Sequence, residues 1–156
     1  MLATALLQQL TDDIGLARQL LALAETELEA LSRRDLPRLE EVLAQKQPLI
    51  VQLSQHGSER ATLLRANRLD MDRQGLVNLT QGSDEQAQIL SAADELGELL
   101  EGCRAVNERN GRLIRSNQAA IGSMLGILRG QADTPNLYDS RGSTARVSHQ
   151  RPLSQA

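Results

Sequence analysis

The chain is almost without aromatic side chains: in 156 residues there is no Phe, no Trp and a single Tyr, Tyr138. A core without rings must be filled by Leu, Ile, Val and Ala, which suit narrow seams between helices better than a thick core around a deep ligand pocket. Cysteine is nearly as scarce. Cys103 stands alone, so no internal disulfide can form, and the composition fits a reducing compartment. Long apolar runs are missing, so nothing is expected to insert into a membrane. The opening M-L-A-T-A-L-L-Q-Q-L lacks a basic segment and reads as the start of a helix rather than a leader. Charge of one sign is also lacking: the net charge is -3 and the pI about 5.4, so there is no bulk pull toward nucleic acid.

Chemical motifs are absent too. His56 and His149 lie far apart in sequence, with no Cys or carboxylate at ligand spacing. There is no H-E-x-x-H, no P-loop and no dinucleotide fingerprint. No set of residues supplies a nucleophile, a base and an orienting group. The expectation is a cytoplasmic, non-enzymatic protein with no catalytic residues, no cofactor and no metal.

What is present is helical periodicity. Leu2, Leu6, Leu10, Ile14, Ala17, Leu21, Ala24, Leu28 and Leu31 step by threes and fours and predict a helix over Leu2–Leu31. Asp35 is a fitting N-cap for a second helix, with Pro37 in its first turn. That helix carries Leu36, Leu39, Leu43, Lys46, Ile50 and Leu53, with Lys46 as the polar intruder, and extends to Ala66. Pro48 predicts a kink or break within it, and Gly57 a second weak point. Asn67–Gly82 is irregular, with room for one short helix around Leu76, Val77 and Leu79. Ser83–Gln86 reads as a capping box that opens the longest helix. Its stripe is Ile89, Ala93, Leu96, Leu100, Cys103, Asn107, Asn110, Ile114, Asn117, Ile121, Met124 and Leu128, a heptad seam ending before Gly130. The fold class is therefore all-α: an elongated antiparallel bundle of three long helices plus one short helix over residues 1–130. Residues 131–156, rich in Gly, Ser and Pro, form a flexible C-terminal tail.

Several features admit two readings. Asn107, Asn110 and Asn117 occupy seam positions, where a buried Asn fixes helix register. Equally, the seam could open there for a partner that completes the amide hydrogen bonds. Gly122-x-x-x-Gly126 marks a close approach to the backbone, by a bundle helix or by a partner segment. Arg104, Arg109, Arg112 and Arg115 form a basic run that reads as a solvated face, since no aromatic platform accompanies it for nucleic acid. Glu25, Glu27 and Glu29 read as a charged flank. Cys103 reads as an inert core residue. Tyr138 is either a plug for the end of the bundle or the anchor of a linear motif.

The order of these parts resembles the FlgN family of flagellar type III export chaperones. The resemblance rests on Asp35-Leu36, Lys46-x-x-Leu49, the block C-R-A-V-N-E-R-N-G-R-L-I from Cys103, and the tail L-Y-D-S-R-G from Leu137. The resemblance implies a chaperone that holds the amphipathic C-terminal segments of the hook–filament junction proteins FlgK and FlgL and helps deliver them for export. It places partner binding on Val106, Asn107, Asn110, Leu113, Ile114, Asn117, Ile121 and Leu125. It assigns Tyr138 and Gly142 to docking at the cytosolic domain of the export gate FlhA. Asp139 stands where many family tails have Gly. An uncovered seam on the last helix also predicts homodimers of the unloaded protein, and a scaffolding coiled coil that self-associates through that seam is the rival reading.

Overall fold

The computed structural model describes residues 1–128, 137–138 and 144–145, with side chains through Ser116 and at Ala119. Four helices occupy the first stretch: α1 (Leu2–Arg33), α2 (Leu36–Ala66), α3 (Arg73–Leu79) and α4 (Gln86–Leu128). Two short strands follow, β1 (Leu137–Tyr138) and β2 (Thr144–Ala145), paired antiparallel with Leu137 opposite Ala145. This two-residue ladder was not expected from the sequence. The rest of the stretch assigned to a flexible tail, and with it Gly142, lies outside the described residues. The chain divides into two compact units, Met1–Asn107 and Glu108–Ala156.

In the first unit, α1 and α2 form an antiparallel hairpin. The direction is fixed by cross-helix pairs whose numbers run in opposite senses: Glu27 with Lys46, Asp13 with His56 and Arg60, Gln9 with Glu59. The first part of α4 instead runs parallel to α1, with Thr4 on Glu85, Arg18 on Glu95 and Cys103 Sγ against the Ala17 carbonyl. Leu6, Leu10, Ile14, Ala17, Ile89 and Leu96 make the buried core, with Leu53, Leu76, Leu79 and Leu99 packed around it.

The connections follow from local chemistry. α1 ends in a left-handed residue, Arg34, whose N–H returns to the Leu31 carbonyl while the Asp35 N–H reaches that of Ala30. This is a Schellman closure, with an arginine where glycine is usual. α2 closes in the same way at Arg68, with Leu69 N–H on the Leu64 carbonyl. Asp35 caps α2 as expected, its carboxylate accepting from the Arg38 N–H at 3.1 Å. Asp72 caps α3 through the Gly75 N–H at 2.8 Å.

Two local expectations are corrected. Of the kink or break expected at Pro48, the break is absent: α2 runs continuously from Leu36 to Ala66. Ala44 and Pro48 are both exposed, so the carbonyl deprived of its helical partner can bond to water. The capping box at Ser83 does not form. Ser83 Oγ accepts from the Glu85 N–H, and the Gln86 side chain donates to the Val77 carbonyl at 2.9 Å, tying the start of α4 to α3.

Candidate functional site

The heptad row Ile89, Leu96, Cys103 and Asn110 on α4 is buried at every step. Its companion row is not the one the sequence suggested. Ala92, Leu99, Val106 and Leu113 turn inward, with Val106 buried and the other three half-buried. Leu100 and Ile114 remain 40% and 37% exposed, and Asn107 between them is exposed as well. Of the residues implicated in partner binding, Val106 and Asn110 thus lie on the buried side, Leu113 at its edge, and Asn107 and Ile114 outside. Asn117, Ile121 and Leu125 continue along α4, and their side chains lie outside the described residues. Tyr138 belongs to β1.

Polar groups pin the surroundings of this helix. Lys46 Nζ donates to Glu27 Oε2 at 2.5 Å, and Asn107 Oδ1 lies 3.5 Å from the same ammonium. Glu27 is therefore no member of a charged flank. It is buried between two helices, whereas Glu25 and Glu29 are exposed. Arg73 grips Asp94 with two hydrogen bonds at 2.9 and 3.0 Å, joining α3 to α4. Those bonds hold the Asp94 carboxyl below its ordinary range, and they raise the Arg73 guanidinium. Hydrogen bonds from Thr4 and Ser83 lower Glu85, and Arg104 lowers Glu101. Burial pushes the Cys103 thiol up, so it stays protonated and unreactive. Arg104 is engaged by Glu101, which fits the reading of the arginine run as a solvated face.

One buried polar centre escaped the sequence reading. Asp13 is fully buried on α1, with His56 Nδ1 donating to Oδ1 at 2.5 Å and Arg60 Nη1 donating to Oδ2 at 2.6 Å. The carboxylate at hydrogen-bond distance from His56 comes from another helix, 43 residues away. A signal existed: Leu6, Leu10, Asp13, Ala17, Leu20, Ala24, Glu27 and Leu31 alternate steps of four and three without a break. Counting polar residues as members of that stripe would have exposed both Asp13 and Glu27.

Among the described residues no group of three or more His, Cys, Asp or Glu side chains could hold a metal ion, and no described helix is long and apolar enough to cross a membrane. These residues define a mainly helical scaffold whose longest helix leaves Leu100, Asn107 and Ile114 exposed. Comparison with known proteins then identifies the lineage. The model of the family described as FlgN protein matches residues 1–146, so the chain belongs to the FlgN family. A crystal structure from Pseudomonas aeruginosa, of a protein named for flagella synthesis and FlgN, is 47% identical. The match covers 80% of this chain and 96% of that one, with a TM-score of 0.68. No curated protein matches the chain.

Proposed function

We propose that this protein serves flagellar assembly as an export chaperone that captures the amphipathic C-terminal segments of FlgK and FlgL and brings them to the FlhA gate. Membership of the FlgN family is the observation that carries the reading. The exposure of Ile114 beside half-buried Leu113 on the second unit's part of α4 supports it. A helix-in-groove partner needs apolar side chains at heptad spacing that are not already covered. The row through Ile114 continues in sequence to Ile121 and Leu128, all aliphatic. In this reading β1 presents Tyr138, the one aromatic ring, as the docking point for the gate, and the protein has no catalytic part.

Calorimetric titration with FlgK and FlgL C-terminal peptides tests capture. The wild type should bind in the micromolar range, and Ile114→Asp should weaken binding at least tenfold with unchanged helicity. Absence of binding by the wild type would remove the chaperone reading. Tyr138→Ala should leave peptide affinity intact and lower retention on the FlhA cytosolic domain.

A further inference from the structure

Between Val42 and Ser58, α2 carries one formal charge, Lys46, and that ammonium is buried against Glu27. In a chain that is 24% charged, seventeen residues would carry about four charges. Every exposed residue of this stretch is neutral. Solvated helix faces are ordinarily dotted with Lys and Glu, and depletion of charge marks the centre of an interface. The strip is also apolar where it is most open. Leu36, Leu43 and Ile50 recur every seven residues at 65%, 47% and 43% exposure, with Val51 beside them at 54%.

The strip has a polarity that selects its occupant. Its N-terminal half bears the large side chains just named. Its C-terminal half bears small ones, Ser54, Gly57, Ser58 and Ala61. Its ends carry opposite charges, Glu40 before the neutral stretch and Arg65 after it, both exposed and on the same side of the helix. A second strip turned end for end about the point between Gln52 and Leu53 meets this pattern at every level. Glu40 falls over Arg65, and Leu43 and Ile50 each fall within one residue of a small side chain, Ala61 and Ser54 respectively, each twice. A parallel copy would instead stack Glu40 on Glu40 and leave the small residues facing one another across a void.

We propose that the outward strip of α2 is the contact surface for a second copy of this chain, docked antiparallel about a two-fold axis near residues 52–53. The surface is separate from the α4 row assigned to cargo, and the proposal does not depend on that assignment. A single helix pair buries modest area, so the dimer is weak, with a dissociation constant on the order of 10–100 μM.

Sedimentation velocity on the full chain, from about 5 μM to about 500 μM at low salt, should show a reversible monomer–dimer equilibrium. Ile50→Lys should move its midpoint at least tenfold toward monomer while the circular dichroism spectrum stays unchanged, because Ile50 is outside the core. Glu40→Arg and Arg65→Glu should each weaken the dimer several-fold. The double reversal, Glu40→Arg with Arg65→Glu, should restore it. A chain that stays monomeric throughout, a dimer indifferent to Ile50→Lys, or a double reversal without recovery would each overturn the proposal. So would a strip that engages only a foreign helix while the chain alone remains monomeric.

Discussion

Lys46 and Glu27 show what a single polar pair does inside an aliphatic seam. Each side chain is about a tenth exposed, and the two lie 2.5 Å apart between α1 and α2. Removing one partner strands the other charge away from water, a loss of about 3–5 kcal/mol. Lys46→Leu alone should therefore lower the urea midpoint sharply, and so should Glu27→Leu alone. The double variant Glu27→Leu with Lys46→Leu should recover most of that loss, because two packed leucines need no compensation. A double-mutant cycle from urea melts measures the coupling directly, and its size separates a register-setting pair from an incidental one. Lys46 was legible in the sequence because it interrupts a run of leucines. Glu27 was hidden by Glu25 and Glu29, which give the segment the look of a solvated flank. Asp13 was hidden by Asp12 in the same way. One acidic residue in such a group points inward, and only the helix phase says which.

At the scale of elements, every helix was readable and its facing was readable by half. The sequence placed the four helices and the Asp35 cap. For each long helix it identified one heptad column correctly and assigned its neighbour one residue off. Leu21 and Leu28 were chosen where Leu20 and Glu27 are buried. Leu43 and Ile50 were chosen where Val42 and Leu49 turn inward, and Leu100 and Asn107 where Leu99 and Val106 do. The cause is physical. A helix with apolar residues on two adjacent columns has two candidate seams about 100° apart, and composition favours the greasier one even when it is the one left in solvent. The displaced columns are the exposed apolar rows from which both proposals arise. The turn before α3 shows the reverse case, where one small residue decides the geometry. A Cβ on Gly75 would lie 1.8 Å from the Asp70 carbonyl oxygen. Gly75→Ala should open the Asp70–Asp72 turn, lose the Asp72 cap and destabilise the first unit by about 2–3 kcal/mol. Amide exchange across Arg73–Leu79 would rise well ahead of exchange in α1.

At the scale of the molecule, acid should loosen the attachment of α4 first. Glu85 and Asp94 have carboxyls held below their ordinary values in the folded state, by Thr4 with Ser83 and by Arg73 respectively. A lowered carboxyl contributes stability above its unfolded pKa and loses it as pH falls through the folded one. Stability should hold from neutrality to about pH 5 and decline below about pH 4. Asp94→Asn should flatten part of that decline, read as a smaller change in urea midpoint between pH 5 and pH 3. Asp94 is exposed and Glu85 partly so, so high salt should shrink the effect.

The parallel course of α1 and α4 bears on how the chain comes off the ribosome. The α1–α2 hairpin closes through a link of two residues and can form as soon as Ala66 is clear. Leu6, Leu10 and Ile14 must wait for Ile89 and Leu96, some eighty positions later, before their remaining side is covered. Loop closure over that distance is slow compared with hairpin formation. A nascent chain stalled near Gly82 would carry a folded hairpin with a sticky flank, the species for which a ribosome-bound holding factor has most to offer.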